Sequence, residues 1–306
     1  MANILVSGLL NTETTAPVRG FPIPYYPIDY TFFGVNTSVS GVAFNIAKAL
    51  HTLGDHVKLA SLIGTDFSAA YIRQSLAQLP LEDTHVLPLL PQTPSSVVLY
   101  DPQGQRQIYC DLKDIQDTAY PFAPEILEDV DLVAACNINF NRPLLHLAQQ
   151  AGKPIATDVH LLSDLHDPYN QEFLACATIL FLSDEAIEGD HRAFLAQLAA
   201  VYPSQIIVLG RGKLGASLYQ RSTGQIQDFP AYQAGSVANT VGAGDALFSA
   251  FLHFYSKGLS PAEALARAQI FAAHKITVSG ASNGFVPEET VESFYQALPV
   301  MQAQFV

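Results

Sequence analysis

The sequence predicts an α/β fold in which a mostly parallel central sheet is covered by helices on both faces. Short β-prone runs alternate with helical segments from residue 131 onward, which is typical of parallel strands joined by crossover helices. Hydrophobic residues make up 49% of the 306 residues and charged residues only 14%, which excludes a disordered chain. A chain of this length buries a substantial core, so we predict a single domain over residues 1–306.

The predicted strands are short runs of apolar and β-branched residues bounded by glycine, proline or polar residues. They cover 4–7, 57–63, 95–100, 105–111, 131–136, 154–158, 177–182, 205–209 and 216–219. The predicted helices carry apolar residues at helical spacing and have clear boundary signals, such as Gly54 after the first and Ser260-Pro261-Ala262-Glu263 at the start of the last. They cover 40–54, 143–151, 246–255 and 260–275.

Prolines and aromatic residues alternate through residues 17–34 with little helical pattern. Proline cannot donate to a sheet ladder, so this composition suits edge strands or an extended flap better than a central sheet. A surface loop pinned by its aromatic rings explains the pattern as well as a flap that covers substrate or contacts a second copy of the chain. Phe32, Phe33 and Phe44 are candidates to stack on a base or a sugar face, although core packing explains them equally well.

The charge balance argues against nucleic acid as a partner. Fifteen basic residues stand against 28 acidic ones, which gives a formal net charge of −13, whereas a phosphate backbone requires clustered Lys and Arg. A small substrate is the better expectation, and any phosphate must be bound locally by backbone amides, a metal ion or a few placed cations. Cys110, Cys136 and Cys176 are odd in number and widely spaced, so we predict neither a disulfide framework nor a zinc site.

The sequence also bears on cellular location. No apolar run approaches the roughly 18 to 20 uncharged residues that span a bilayer. The first ten residues, MANILVSGLL, lack the basic region of a signal peptide. We therefore expect a soluble, unsecreted protein located in the cytoplasm, with no membrane partner.

The stretch Asn239-Thr240-Val241-Gly242-Ala243-Gly244-Asp245 precedes an apolar helical run. Two glycines around one small residue let the backbone turn tightly and present N–H groups to a ligand, and a helix N-terminus favours an anion. A carboxylate there repels phosphate unless it has a chemical task, so Asp245 is a candidate general base for phosphoryl transfer. An ordinary strand-to-helix turn explains the glycines about as well. A dinucleotide-binding motif fits poorly, since Leu247 stands at its third glycine position.

The whole stretch resembles the second signature of the ribokinase (PfkB) family of carbohydrate and nucleoside kinases, in which Asp usually stands where this chain has Asn239. The resemblance implies an anion hole formed by the backbone of Gly242, Ala243 and Gly244. It makes Asp245 the base that deprotonates a sugar hydroxyl. It also implies ATP and Mg²⁺ as cofactors and leaves open a requirement for a monovalent cation.

Residues 40–66 resemble the first signature of the same family, with Ser40 in place of the first of two glycines. The resemblance implies that Gly41 lets the backbone approach the sugar and that Asn45 bonds a sugar hydroxyl. Glu13 falls where the family usually carries a sugar-binding Asp, and a carboxylate accepts two hydrogen bonds in fork geometry. An ordinary exposed loop acid is nearly as good an interpretation of Glu13.

Several segments resemble the nucleotide side of the family's site. The glycine-rich stretch 209–215 corresponds to a loop near the nucleotide phosphates, and 279–284 to a wall of the adenine pocket. The implied nucleotide-binding residues are Arg211, Gly212, Gly215, Asn239, Thr240 and Asn283. Glu185 is the implied metal-binding carboxylate, although Leu182 replaces the Asn that relatives carry three residues earlier.

The resemblance further implies a ribokinase-like fold with a small β lid built from about 12–36 and 95–115, where 101–104 is predicted to form a type I turn. A homodimer through the lid is implied as well. The departures at Asn239, Ser40 and Leu182 motivate an alternative, a non-catalytic sugar or nucleoside sensor on the same fold. A kinase of vitamin-like heterocycles is a third hypothesis, against which Ala243 argues because such kinases commonly place Cys in this loop.

Overall fold

A computed structural model describes residues 1–103 and 105–298 of the chain. Gly104, which belongs to the predicted turn, and residues 299–306 of the predicted domain lie outside the described residues. Within the described part, the strands are β1 (Asn3–Ser7), β2 (Asn11–Pro17), β3 (Asn36–Ser40), β4 (His56–Leu62), β5 (Val86–Leu87), β6 (Ser95–Tyr100), β7 (Arg106–Asp111), β8 (Leu132–Ala135), β9 (Ile155–Leu161), β10 (Ile179–Ser183), β11 (Ile206–Gly210), β12 (Ala216–Gln220) and β13 (Gln225–Phe229).

The helices follow the pattern expected of crossover connections. They are α1 (Val42–Leu53), α2 (Phe67–Leu76), α3 (Arg142–Gln150), α4 (Gln171–Cys176), α5 (His191–Val201), α6 (Ala243–Ser256), α7 (Pro261–Lys275) and α8 (Glu288–Gln296). Helix α1 ends where Gly54 adopts the left-handed conformation, as the sequence predicts. The predicted cap of α7 is also confirmed, since the Ser260 and Glu263 side chains cap each other's backbone amides.

The main sheet has nine strands in the order β13-β12-β11-β10-β9-β8-β1-β4-β5. All pairings from β11 to β5 are parallel, whereas β12 and β13 add antiparallel strands at one edge. The sequence therefore predicts the fold class correctly, a mostly parallel sheet with helices on both faces. Because strands joined by crossover helices run in one direction, their carboxyl ends share one edge of the sheet, where ligands gather in such folds.

Each face of the main sheet covers a separate apolar core. Side chains alternate along β1, so that Ile4 and Val6 join the core beneath α1, α6 and α7. Leu5, between them, points into the core beneath α3, α4 and α5. All three side chains are at most 1% exposed, and burying an aliphatic side chain of this size stabilises the fold by about 1.5 to 3 kcal/mol.

A second sheet contains four strands in the order β3-β2-β6-β7. Strands β2, β6 and β7 come from the two segments, about 12–36 and 95–115, that the sequence assigns to the lid. Strand β3 (Asn36–Ser40) lies almost wholly beyond the first of these segments, and its last residue, Ser40, falls where the sequence predicts the start of a helix. Residues 18–35 connect β2 to β3, and their aromatic side chains are largely exposed, with Phe33 at 100%. Phe44, by contrast, is buried in the core under α1, so it is a packing residue and cannot stack on a ligand.

No helix in residues 1–103 and 105–298 is long and apolar enough to cross a membrane.

Candidate active site

Helix α6 begins immediately after the predicted anion-binding loop. Gly242 is its N-cap and has a left-handed backbone with φ of 78°. A side chain at Gly242 would place its Cβ 2.4 Å from the carbonyl oxygen of Ala281. Only glycine therefore satisfies both the backbone angle and the close approach of the 279–284 loop, which the sequence assigns to the nucleotide pocket.

The amides at the start of α6 differ from the predicted anion hole in one respect. The Ala243 amide donates to the Thr240 carbonyl at 3.1 Å, so it is already bonded to the protein's own backbone, and the prediction that it binds phosphate is corrected. Within the described residues, the amides of Gly242, Gly244 and Asp245 have no acceptor. These three N–H groups at a helix N-terminus form a preorganised anion site.

The space beside Gly244 is open. A Cβ added at Gly244 would meet only Asp158 Oδ2, at 3.9 Å, in contrast to the crowded position of Gly242. Asp158 lies in β9, close to the carboxyl end of that strand. A side chain at Gly244 would thus find free space beside the carboxyl end of β9, the edge of the sheet at which the topology predicts a ligand.

Asp245 lies in the first turn of α6, and its residue is 9% exposed. Its Oδ2 accepts a hydrogen bond of 2.7 Å from Asn45 Nδ2 on α1. Burial raises the pKa of the Asp245 carboxyl, and the nearby Asp158 raises it further, whereas His160, the Asn45 hydrogen bond and Lys275 lower it. A carboxylate whose pKa is moved toward neutrality while a donor holds it in place has the properties of a general base.

Two of the predicted substrate-binding residues, Asn45 and Glu13, lie near this carboxylate. Glu13 on β2 is 7% exposed and accepts a hydrogen bond from Ser40 Oγ at 3.3 Å. Burial raises the pKa of Glu13 and the nearby Asp245 adds to this, while the Ser40 hydrogen bond and Lys275 lower it. Glu13 is therefore a buried acid rather than an exposed loop residue, and Ser40, which departs from the family pattern, serves as its partner.

Gly41 and Asn45 occupy the start of α1. A Cβ on Gly41 would lie 2.3 Å from the Leu9 carbonyl oxygen, and its φ is 103°, so packing against β1's following loop already requires glycine there. Asn45 Oδ1 is buried and has no hydrogen-bond partner among the described residues. An unpaired buried acceptor is costly, which makes this oxygen a candidate partner for a bound hydroxyl group.

His160, which no motif in the sequence singles out, lies close to the Asp245 carboxylate. Its φ of 59° is unusual for a residue with a side chain, and its amide donates to Asp158 Oδ1 at 2.8 Å. Of the groups that lower the pKa of Asp245, His160 has the largest effect. Strained residues of this kind cluster at functional sites.

The second sheet reaches the anion-binding loop through Arg106. Its guanidinium Nη1 donates to Thr240 Oγ1 at 2.8 Å, across 134 positions of sequence. Lys113, another cation of the same segment, pairs locally with Asp111. Arg106 instead brings a positive charge to the loop that carries the base.

The predicted nucleotide-binding residues are mostly engaged within the protein. Arg211 lies 3.5 Å from Asp228, Asn283 Nδ2 donates to the Ser279 carbonyl at 3.2 Å, and Asn239 Oδ1 accepts from the Val241 amide at 2.7 Å. These contacts shape the loops without occupying the cleft. The last one shows how the chain accommodates Asn239, because an amide oxygen caps the turn as a carboxylate oxygen would.

The predicted metal ligand is a single carboxylate. Glu185 is exposed, follows β10 and has no ion-pair partner among the described residues. In the same described ranges, no group of three or more His, Cys, Asp and Glu side chains is arranged to hold a metal ion. One free carboxylate fits Mg²⁺, which keeps most of its water and takes other ligands from substrate phosphates.

A buried carboxylate beside free helix N-terminal amides, at the carboxyl edge of a parallel sheet, is an arrangement suited to a phosphotransferase of the α/β class. Residues 1–289 match the pfkB family of carbohydrate kinases, and the chain belongs to that family. The membership of this family that the signature motifs imply is thereby confirmed. Comparison with curated protein sequences finds no match.

Solved structures share the fold over nearly the whole chain. A microbiome-derived acarbose kinase superposes with a TM-score of 0.85 at 23% identity, covering 95% of this chain and 98% of its own. Arabidopsis thaliana ribokinase complexed with ribose and ATP gives 0.79 at 18% identity, covering 96% and 98%. A Burkholderia thailandensis nucleoside kinase in complex with inosine gives 0.78 at 19% identity, covering 97% and 98%. The ribokinase-like fold is thereby confirmed.

Proposed function

We propose that this chain transfers the γ-phosphoryl group of ATP to a hydroxyl of a sugar or nucleoside, with Asp245 as general base. The observation that carries the proposal is the placement of the Asp245 carboxylate, buried, held by Asn45 at 2.7 Å and preceded by unpaired helix amides. Membership of a carbohydrate kinase family supports the reaction class. The ligands named for the superposing structures, ATP with ribose and inosine, support the donor and the acceptor class.

In the proposed reaction the acceptor hydroxyl gives its proton to Asp245 while its oxygen attacks the γ-phosphorus. The bond between that phosphorus and the bridging oxygen of ADP breaks, and ADP leaves with the electron pair. The amides of Gly242, Gly244 and Asp245 donate to the equatorial phosphoryl oxygens as charge redistributes. Placement and electrostatics supply most of the catalysis in reactions of this kind.

The acceptor is proposed to bind between the two sheets. Glu13 and the unpaired Oδ1 of Asn45 are both acceptors of hydrogen bonds, so they suit adjacent hydroxyl groups of a polyol. Burial raises the pKa of Glu13, and a hydroxyl donor would favour its ionised form. Gly41 packs against the Leu9 carbonyl, and the role beside the sugar that is proposed for it comes from the family resemblance.

The donor is proposed to lie along the loops that the sequence assigns to the nucleotide. Gly212 and Gly215 flank the turn after β11, Thr240 and Asn239 precede the anion site, and Asn283 stabilises the facing loop. Arg211, held by Asp228, would line the phosphate side of this path. Mg²⁺, when bound with the nucleotide, neutralises phosphate charge, and Glu185 would hold it through water.

The four-stranded sheet is proposed to act as a lid within a single domain of residues 1–306. Closure would exclude water from the cleft and bring Arg106 toward the transferring group. The exposed aromatic residues of 18–35 fit either a cover over the substrate or the lid-to-lid homodimer that the family resemblance implies. Sedimentation of the purified protein decides between a monomer and that dimer.

Two of the departures from the family pattern, Ser40 and Asn239, have hydrogen-bond partners within the site, and this weakens the sensor hypothesis. Ser40 bonds Glu13, and Asn239 caps the loop before the base, so neither exchange disturbs the geometry of the site. The test is acceptor-dependent ADP formation against a panel of pentoses, hexoses, sugar acids, ribonucleosides and pseudouridine. A kinase produces ADP with at least one class above the background without acceptor. Thermal stabilisation by a ligand with no ADP formation would instead identify a sensor.

A further inference from the structure

Lys275 ends α7 with a side chain that is 0% exposed. Its ammonium donates to the carbonyl oxygen of Val241, inside the loop that presents the anion-binding amides. Within residues 1–103 and 105–298, no carboxylate forms a direct ion pair with this ammonium. Burying a charge without such a partner is costly, so the position demands an explanation beyond packing.

The charges around Lys275 belong to the site itself. Burial lowers the pKa of Lys275 to about 8, Arg106 lowers it as well, and Asp245 and Glu13 raise it. In return, Lys275 lowers the pKa of both acids. At neutral pH the side chain is therefore a fixed positive charge near the base and the substrate carboxylate.

The contact also fixes the geometry of the loop. Ile276, the residue after α7, fixes the chain segment that leads into the loop. Its carbonyl accepts hydrogen bonds from the Ala238 and Asn239 amides at 2.9 and 3.2 Å. The Lys275 ammonium adds a hydrogen bond to the Val241 carbonyl. In a trans peptide the carbonyl and the next N–H point in opposite directions. Drawing the Val241 oxygen toward Lys275 therefore turns the unpaired Gly242 amide away from it, toward the phosphoryl side.

Backbone carbonyls are the ligands that alkali-metal cations take in proteins. Here the Val241 carbonyl, on the loop that precedes Asp245, is already taken by an ammonium of the chain. A cation from solution could bind that oxygen only by displacing the Lys275 ammonium, because the two positive charges repel each other. The loop therefore does not fit a second monovalent cation at Val241.

We propose that the Lys275 ammonium takes the place of a bound monovalent cation in this kinase. Lys275 is a positioning residue that orients the Val241-Gly242 peptide, and turnover is therefore independent of added monovalent cations. This inference rests on the proposed phosphoryl transfer. It also answers the question of the monovalent cation, which the family resemblance leaves open.

The first test compares wild-type turnover in N-methylglucamine salts with turnover in potassium or ammonium salts at matched ionic strength. We expect the wild-type kcat to change by less than about twofold. In Lys275→Met, which removes the charge but keeps the length, we expect kcat to fall about tenfold or more with a smaller change in KM. Potassium or ammonium should restore part of the loss, because a cation then has room at the Val241 carbonyl.

Lys58→Met is the matched control. The Lys58 ammonium also donates to backbone carbonyls, those of Ile126 and Glu128 at 3.2 and 3.3 Å, but it lies outside the site. Its kinetics should equal those of the wild type in every salt. A wild-type enzyme that needs potassium, or a folded Lys275→Met with wild-type kcat, overturns the proposal.

Amide hydrogen exchange separates this inference from the proposed function. If the wild type forms no ADP with any acceptor, phosphoryl transfer fails, yet exchange across residues 238–243 still reports on Lys275. Faster exchange in Lys275→Met, slowed again by potassium chloride, supports the positioning role. Exchange equal to that of the wild type in the same segment overturns it.

Discussion

Asn45 Nδ2 lies 2.7 Å from Asp245 Oδ2, and this hydrogen bond joins two residues that are 200 positions apart in the sequence. It ties the first turn of α6 to α1 and engages only one of the two Asp245 oxygens, so the other could accept the proton in the proposed reaction. The sequence assigns Asn45 to the sugar. In the structure its two polar side-chain atoms differ, since Nδ2 bonds Asp245 and Oδ1 has no partner among the described residues.

The pH profile of kcat/KM should move when Asn45 is replaced. Asp245 must be ionised to accept a proton, so activity falls as the pH falls through its pKa. Burial raises that pKa above the ordinary value of 3.8, and the hydrogen bond from Asn45 lowers it because it favours the carboxylate. Asn45→Ala should therefore shift the acid limb to higher pH, by roughly one pH unit. Asn137→Ala, which loses a bond to Asn170 instead, serves as control, and an acid limb that stays in place contradicts the assignment.

Two glycine variants separate the fold from the anion site. Gly244→Ala adds a methyl group to the open cleft, where only Asp158 Oδ2 lies within reach, so the melting temperature should stay near that of the wild type while turnover is lost. Gly242→Ala forces a Cβ to 2.4 Å from the Ala281 oxygen at a φ of 78°, so it should also destabilise the protein by about 1 to 3 kcal/mol. Calorimetry and ADP formation measure the two effects. Equal stability losses would show that the cleft is not open.

Arg106→Met should lower kcat by about one to two orders of magnitude, since a charged donor near the phosphoryl group is removed. Its bond to Thr240 places the guanidinium at the loop. Arg19→Met provides the matched control, because Arg19 pairs with Asp29 in the same sheet region at 2.9 Å and does not contact the loop. Steady-state kinetics of both variants are the measurement. Similar losses in the two would assign the effect to general disturbance of the lid.

Asp66 is expected to act on stability alone. Its carboxylate caps α2 through the Ala69 amide and accepts from the amide and hydroxyl of Thr93 at 2.9 and 2.6 Å. Burial raises the pKa of Asp66, but the bonds from Thr93 and Ala69 outweigh it, so the pKa lies below 3.8. The stabilisation is therefore full above that value and is lost as the pH falls through the lower, folded-state pKa.

Asp66→Ala should cost about 1 to 2 kcal/mol of unfolding free energy at neutral pH. Denaturant titration at neutral pH and near pH 2 measures the difference, which should shrink in acid. A loss of the same size at both values would mean that the ionised carboxylate is not the stabilising species. Turnover per folded molecule should remain that of the wild type, which makes this variant a control for the site residues.

The sequence predicts most of the main sheet because its buried strands are apolar runs between turn residues, and their limits fall within a few residues of those observed. Strands β2 and β3 escape prediction because their polar residues, such as Thr12, Glu13 and Ser40, lack the usual alternation and become buried only when the two strands pair. The loop before Asp245 is predictable since its glycines have a local conformational cause. Ala243 shows the limit, because spacing alone does not reveal which amides the turn consumes.

Contacts between distant segments account for what the sequence missed. Lys275 stands in the last turn of a helix, where a lysine ordinarily complements the helix dipole from the surface, and its sequence neighbours do not signal burial. Arg106 and Thr240 meet only after the two sheets pack. Glu13 resembles a loop acid until β3 supplies Ser40.

The most direct test of the account is turnover and ligand binding by Asp245→Asn, an exchange that keeps the size and one acceptor oxygen of the side chain. With an acceptor found in the panel, we predict that kcat falls by about two to four orders of magnitude, in line with loss of a general base, while acceptor and ATP affinities measured by calorimetry stay near wild-type values. An Asp245→Asn variant that turns over as fast as the wild type would show that this carboxylate does not take the proton.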